Sequence, residues 1–158
     1  MDTGFTTCLW FDGQAEEAAR YYTSIFPGSS MGKVAHVSGA GRNPGSVLTV
    51  EFEANGHRFV ALNGGPQFTP DEAISFQILC DDQAEVDRYW EELTSGGGRE
   101  SMCGWVEDRF GISWQVIPKG MIELVTDPDP EKATRATEAM LSMRKLDLEA
   151  IRRAHAGG

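Results

Sequence analysis

Basic residues are scarce in this chain of 158 residues, where 14 Lys and Arg stand against 24 Asp and Glu and the formal net charge is −10. Because binding to a phosphate backbone needs clustered Lys and Arg, this balance predicts no nucleic-acid partner. Long apolar runs are also missing, and none approaches the roughly 20 residues that a membrane-spanning helix needs. No basic segment leads into an apolar stretch near the N-terminus, so we expect neither a secretory signal nor a membrane partner.

Cysteine is rare as well. The three cysteines are an odd number at no spacing typical of metal ligands or of a disulfide framework. The simplest interpretation is reduced thiols in a cytoplasmic protein. What the chain does have is an ordinary globular composition, with 41% hydrophobic and 24% charged residues, which argues against a disordered or fibrous protein. Its length suits one domain with a sizeable core.

The hydrophobic pattern predicts an α+β fold made of two rough copies of a β-α-β-β-β unit. In the first copy, runs typical of strands occupy residues 5–11, 31–38, 47–53 and 57–63. Residues 14–25 carry apolar side chains at helical spacing, which predicts a helix with one buried face, made of Ala15, Ala18, Ala19, Tyr22 and Ile25. Asn55-Gly56 indicates a hairpin between the last two strands. The Gly-, Asn- and Pro-rich segment 39–45 is expected to be an exposed loop.

The second copy repeats the order of elements rather than the residues. Strands are predicted at 74–80, 100–107 and 112–117, with a tight turn at 108–111 and a possible further short strand at 121–125. Residues 83–94 are predicted to form a helix that the glycines at 96–98 end. Its apolar face would consist of Val86, Tyr89, Trp90 and Leu93. We therefore expect one domain over residues 1–126, with modules of about 1–65 and 70–126.

A helical extension, residues 127–158, follows this domain. Asp127-Pro128-Asp129-Pro130 is typical of a helix N-terminus, and helices are predicted over 133–143 and 147–155. An apolar stripe on the first of them comprises Ala136, Ala139, Met140 and Met143. Such a stripe requires a partner surface, and two alternatives remain open. The extension packs on its own sheet, or it packs across a dimer interface.

Several motifs, in order along the chain, resemble those of one known family. They occupy residues 8–18, 26–29, 59–66, 72–77, 103–105, 108–111, 113–118 and 139–147. The resemblance is to the PhnB-like branch of the vicinal oxygen chelate, or glyoxalase/bleomycin-resistance, superfamily, whose members are often labelled 3-demethylubiquinone-9 3-methyltransferase-like. It implies β-α-β-β-β modules paired into curled mixed sheets whose concave faces line a pocket, and a homodimer. The label does not imply methyl transfer here, because no Gly-rich loop with a following acidic residue suggests an adenosylmethionine site.

The resemblance also implies where a metal would bind. Metal-dependent members place ligands on the first and last strands of each module, which here means near Thr7, Ala61 or Asn63, Ser75 and Gln115. None of these is a strong ligand, and Gln115 stands where a glutamate is usual. A catalytic metal usually needs about three ligands from His, Cys, Asp or Glu. We therefore expect no metal and no other cofactor.

Strand alternation selects the residues expected to line the pocket. They mix hydroxyl and amide groups with apolar walls, as small-molecule sites do: Thr7, Phe11, Phe59, Asn63, Ser75, Gln77, Cys103, Ser113 and Gln115. Cys103 is the one conceivable nucleophile, with a buried and inert thiol as the alternative. The polar members could instead hydrogen-bond one another or bound water.

Three functions remain open from the sequence. The first is a metal-free homodimer that binds a small, partly apolar metabolite between its modules. The second is a metal-dependent lyase, isomerase or dioxygenase of the same superfamily. The third is a structural or interaction dimer without a ligand.

Overall fold

The computed structural model describes residues 4–41 and 43–158, so the first three residues and Arg42 of the predicted loop lie outside it. The chain divides into two compact units, residues 1–70 and 71–158. Each unit contains a four-stranded mixed sheet and a helix in β-α-β-β-β order, and the second unit also contains the C-terminal helices. The predicted α+β fold is confirmed.

The first unit has strands β1 (Thr7–Phe11), β2 (Ser30–His36), β3 (Val47–Ala54) and β4 (His57–Asn63), with helix α1 (Ala15–Ile25) after β1. The sheet order is β1-β4-β3-β2, in which β1 and β4 are parallel and the other pairs antiparallel. The five residues predicted for the apolar face of α1 are all buried, because they pack on the sheet. The predicted hairpin is confirmed too. Asn55 and Gly56 have φ angles of 49° and 76°, as a type I′ turn requires.

The second unit has strands β5 (Ser75–Cys80), β6 (Arg99–Glu100), β7 (Trp105–Glu107) and β8 (Ser113–Pro118), with helix α2 (Gln83–Thr94) after β5. The sheet order is β5-β8-β7-β6, with β5 and β8 parallel. The single strand predicted over 100–107 is wrong, because a turn divides it. In that turn Cys103 and Gly104 have φ angles of 58° and 83°, which a continuous strand does not allow.

Three helices end the chain: α3 (Lys119–Val125), α4 (Pro130–Leu141) and α5 (Leu148–Ala156). The short strand predicted over 121–125 is wrong, since this segment belongs to α3. A brief apolar run does not distinguish a strand from a buried helical turn. Asp129 and Asp147 cap α4 and α5, each accepting a hydrogen bond from backbone N–H groups of the first turn.

The C-terminal helices pack on their own unit. A buried apolar cluster joins the end of β8 and α3 to the last two helices, and it comprises Ile117, Met121, Ala136, Leu146, Leu148 and Ile151. Polar contacts reinforce it. The amide of Gln83 donates from Nε2 to the carbonyl of Leu146 (2.9 Å) and accepts at Oε1 from the N–H of Leu148 (3.0 Å). Of the two alternatives for the extension, the structure therefore shows packing within the chain.

The connection between α4 and α5 also binds the turn that interrupts the strand predicted over 100–107. The N–H groups of Cys103 and Gly104 donate to the carbonyls of Met143 (2.8 Å) and Arg144 (2.7 Å). Gly104 leaves no room for a side chain, because a Cβ there would lie 2.8 Å from the backbone oxygen of Val116 and 2.8 Å from Leu146. No helix in the described part of the chain is long and apolar enough to cross a membrane.

Candidate ligand-binding site

One face of the second sheet carries a row of polar side chains. Strands β5 and β8 pair in parallel with Ser75 opposite Ser113 and Gln77 opposite Gln115, so these four side chains share a face. The alternate residues Ile78, Cys80, Trp114 and Val116 are buried on the other face, where α2 packs. We call the face with the four polar residues the open face of the second sheet. The sequence predicted this division of both strands.

Three of these side chains form a hydrogen-bonded chain. Gln115 donates from Nε2 to the hydroxyl of Ser75 (2.9 Å), and Gln77 donates from Nε2 to Oε1 of Gln115 (3.3 Å). The polar groups thus bond to one another, which was the alternative to a ligand site. They also keep capacity for a further partner, since Oε1 of Gln77 accepts no hydrogen bond from residues 4–41 or 43–158.

A cavity of about 180 Å³ adjoins this row. Antiparallel pairing of β7 with β8 sets Trp105 opposite Gln115 and Glu107 opposite Ser113, so the cavity walls continue the open face. The full lining is Glu72, Arg99, Glu100, Ser101, Trp105, Val106, Glu107 and Ser113. Drug-sized ligands usually occupy more than about 300 Å³, so this cavity suits a small molecule or one end of a larger one.

Charged residues contribute to the cavity wall. Arg99 forms a 2.6 Å ion pair with Glu107, and the hydrogen bond and charge of Glu107, with a smaller contribution from Glu72, raise the pKa of Arg99. Glu100 accepts a hydrogen bond from the indole N–H of Trp90 (2.9 Å) and lies 3.7 Å from the guanidinium of Arg144. Sequence reasoning missed these residues. For Trp105 and Glu107 the signal was their alternation with the buried Val106 along β7, which the assumed unbroken strand concealed.

The prediction for the first unit selected the wrong face of its sheet. Phe11 and Phe59 are buried on the side of α1. There the ring of Phe52 stacks between those of Tyr22 and Phe59, with ring centroids 5.9 Å and 5.0 Å apart. Asn63 accepts at Oδ1 from the N–H of Ala15 (2.9 Å), so it caps the start of α1 rather than lining a pocket. The physical reason is that the opposite face is partly apolar as well. Trp10, Val60 and Leu62 lie there, so alternation alone could not distinguish the sides.

Two further predicted residues lie apart from the row of polar side chains. The hydroxyl of Thr7 lies 2.9 Å from Nε2 of His57, a contact between neighbouring strands of the first unit. Cys103 lies in the turn after β6, with its Sγ 3.9 Å from the carbonyl of Leu141 at the end of α4. Of the nine predicted residues, the structure thus brings together Ser75, Gln77, Ser113 and Gln115.

Metal ligands do not gather anywhere in the described ranges. No group of three or more His, Cys, Asp or Glu side chains there is arranged to hold an ion. The open-face amides of Gln77 and Gln115 are neutral, and such groups are weak ligands for hard divalent ions compared with carboxylates. That the protein functions without a metal stays a prediction.

The three free cysteines differ enough to be distinguished by chemical labelling. Burial, the largest effect, raises the pKa of Cys80 to about 12, whereas Cys8 is exposed and Cys103 is partly buried. Because the thiolate is the reactive species, we expect two thiols to react with Ellman's reagent in the native protein and Cys80 to react only after unfolding. The Cys80→Ala variant should lose only the reaction that follows unfolding. A third thiol that reacts at the native rate would contradict the packing of Cys80 under α2.

Comparison with known proteins identifies the family. The family model described as 3-demethylubiquinone-9 3-methyltransferase matches residues 3–117. The chain belongs to the 3-demethylubiquinone-9 3-methyltransferase family. This match contains the polar row of the second sheet and ends before α3, so the three C-terminal helices lie outside the matched residues. No curated protein matches the chain.

Solved structures show the same fold. The PhnB protein from Bacillus cereus is 29% identical with a TM-score of 0.66, over 73% of this chain and 99% of that one. Protein PA1353 from Pseudomonas aeruginosa is 20% identical with a TM-score of 0.60, over 75% and 98% of the two chains. The fosfomycin resistance protein FosX from Mesorhizobium loti is 15% identical with a TM-score of 0.52, over 74% and 92%. This family member therefore has the glyoxalase/bleomycin-resistance fold.

Proposed function

We propose that the protein belongs to the vicinal oxygen chelate superfamily and binds a small, partly apolar molecule on the open face of the second sheet. The observation that carries this proposal is the in-register row Ser75, Gln77, Ser113 and Gln115 beside a cavity with an aromatic wall. Amides and hydroxyls held by strand pairing can orient a ligand, while Trp105 supplies apolar surface. The fold shared with FosX supports the superfamily but not a particular reaction.

The proposal includes function without a metal and assembly as a homodimer. Sequestration of a ligand needs no catalytic group, which suits a face whose central pair, Gln77 and Gln115, consists of neutral amides. Apolar side chains that are at least half exposed, such as Ile74 and Phe68, support self-association, since burying them in an interface is favourable. The methyltransferase activity in the family description is not part of the proposal.

Native mass spectrometry tests all three parts on protein purified without a histidine tag. After incubation with a metabolite extract, we expect a dimer that retains an organic ligand and contains no metal. The variant Gln115→Leu should lose the ligand, because it removes both amide bonds to Ser75 and Gln77. The matched variant Gln67→Leu, in the first unit, should keep it. Equal retention by both variants would contradict the placement of the site, and stoichiometric metal would favour a metalloenzyme.

A second candidate function is supported by the cavity's volume. At about 180 Å³ the cavity is smaller than most ligand sites, which favours an interaction dimer whose polar row is structural. This candidate predicts a dimer without any retained molecule, and it predicts that Gln115→Leu lowers stability without changing the mass spectrum.

A further inference from the structure

The cavity of the second unit carries an excess of negative charge. Two carboxylates, those of Glu72 and Glu107, belong to its wall against one cation, Arg99, while the carboxylate of Glu100 bonds to Trp90 on the side of α2. Acidic side chains are common on the surface of a chain with net charge −10, so the excess alone identifies no ligand. Three of the wall's polar side chains, those of Ser101, Ser113 and Glu72, form no hydrogen bond or ion pair with residues 4–41 and 43–158, and two of them bear on a ligand.

Ser113 is the first of these groups. It is only 3% exposed, it lines the cavity, and no group in residues 4–41 and 43–158 forms a hydrogen bond with its hydroxyl. A buried hydroxyl without a partner costs free energy, and the great majority of such groups in proteins are satisfied. The Oγ of Ser113 keeps some accessible surface toward the cavity, since it is not among the enclosed unsatisfied atoms. Either water or a ligand in the cavity can therefore supply the partner of this hydroxyl.

Glu72 is the second group. Its carboxylate forms no hydrogen bond or ion pair with the described residues, yet it is near enough to Arg99 to help raise that residue's pKa. Arg99 is itself largely exposed, with 73% of its side chain accessible, and among residues 4–41 and 43–158 its guanidinium bonds to Glu107 alone. The chain's own guanidinium thus lies where the carboxylates would receive a cation from outside, and it can be displaced at small cost, because exposed ion pairs contribute little.

We propose that this cavity binds the ammonium group of a small amine that carries an apolar body. The carboxylates of Glu72 and Glu107 would bind the ammonium in place of Arg99. The hydroxyl of Ser113 would accept a hydrogen bond from one N–H group of the ammonium, and the apolar body would lie against Trp105. This inference rests on the proposed function, of which it names the ligand class. It predicts discrimination by charge, which the proposed function alone does not.

The test uses benzylamine, benzyl alcohol and benzoate, three probes of nearly equal size and of charge +1, 0 and −1. Binding is followed by NMR on the full-length ¹⁵N-labelled protein through the indole N–H of Trp105 and the amide of Ser113. We expect benzylammonium to bind about five- to tenfold more tightly than benzyl alcohol, and benzoate not to shift these signals. A charge interaction at about 4 Å near a protein surface is large enough for such a ratio.

Two variants of the ion pair separate charge recognition from a structural effect. Both Arg99→Gln and Glu107→Gln break the bond between the two side chains, so any structural effect of the ion pair is common to them. The proposal nevertheless requires opposite results. Arg99→Gln should bind benzylammonium several-fold more tightly, because a competing cation is gone, and Glu107→Gln several-fold more weakly. Glu72→Gln should weaken binding without breaking a side-chain hydrogen bond or ion pair within the described residues.

A matched pair of controls exists in the first unit. Arg20 and Glu16 form an exposed ion pair of similar length, 2.7 Å, on α1, and Arg20→Gln and Glu16→Gln change the net charge by the same amounts. These controls should leave the affinity for benzylammonium unchanged.

Three results would overturn the inference. Equal affinity for benzylamine and benzyl alcohol would leave the proposed binding function standing but remove its charge preference. Tighter binding of benzoate would assign the opposite charge to the ligand. Shifts at Trp105 from none of the three probes would also overturn it, and the retention of a ligand that depends on Gln115 would then decide the proposed function separately.

Discussion

The Asp108→Ala variant is expected to lose about 3–5 kcal/mol of unfolding free energy, because one buried carboxylate organises the hairpin between β7 and β8. Asp108 is 2% exposed. Its Oδ1 accepts from the N–H groups of Phe110 (2.8 Å) and Ile112 (3.1 Å), and its Oδ2 accepts from the indole N–H of Trp114 (2.8 Å). Alanine would leave three donors without this acceptor in a buried turn. Chemical denaturation followed by near-ultraviolet circular dichroism measures the loss.

Two comparisons separate the bonds of Asp108 from other effects of the substitution. Asp71→Ala removes a similar turn contact, since Asp71 accepts from the N–H of Ala73 (2.9 Å), but at an exposed position, so its loss should be much smaller. Asp108→Asn keeps the volume and directs an N–H₂ group at the indole N–H. The unfolding free energy that Asp108→Asn loses should be smaller when Trp114→Phe is also present, and a double-mutant cycle measures this difference. A stability of Asp108→Ala within about 1 kcal/mol of the wild type would contradict the role assigned to the carboxylate.

Truncation after Thr126 should have the other large effect. It removes four members of the buried C-terminal cluster and exposes Ile117 and Met121. It also removes the partners of the Gln83 amide and of the N–H groups of Cys103 and Gly104. Since each buried aliphatic side chain contributes about 1.5–3 kcal/mol, we expect the second unit to lose cooperative unfolding or to precipitate. Differential scanning calorimetry and sedimentation velocity on the truncated chain would show both.

Single substitutions test the contribution of the C-terminal helices to stability one residue at a time. Ile151→Ala should cost about 2–5 kcal/mol, because Ile151 is fully buried, whereas Ile122→Ala on α3 should cost little, since Ile122 is 45% exposed. A truncated chain with an unchanged unfolding transition would show that the helices contribute nothing to the second unit. If the truncated chain instead unfolds normally but no longer dimerises, the helices act in the proposed interface.

The elements of this fold could be predicted where periodicity and turn residues agree. The helix over 83–94 and the strand over 57–63 have the predicted bounds, because helical spacing and the Asn55-Gly56 turn define them independently. The interrupted strand could not be predicted in the same way. What interrupts it is the pairing of the backbone of Cys103 and Gly104 with the connection between α4 and α5, a contact some 40 positions along the chain.

The candidate site, too, could be predicted from the sequence only in part. In the second unit, polar residues alternate with buried ones along β5 and β8, so the open face follows from the sequence. In the first unit, Phe11 and Trp10 are both large and apolar, and the side on which α1 packs decides which of them is core. The cavity's charges depend on the register of β7, which cannot be read before the turn at 101–104 is known.

The two hydrogen bonds of the Gln83 amide also indicate the order in which the second unit folds. They join the first residue of α2 to backbone groups 63 and 65 positions further along the chain. Closing so long a segment is entropically unfavourable until the pairing of β5 with β8 has shortened it, so docking of the last helices belongs to a late step of folding. The same helices would be released first in partial unfolding, and amide protons near Leu148 would exchange with solvent before those at the centre of the second sheet.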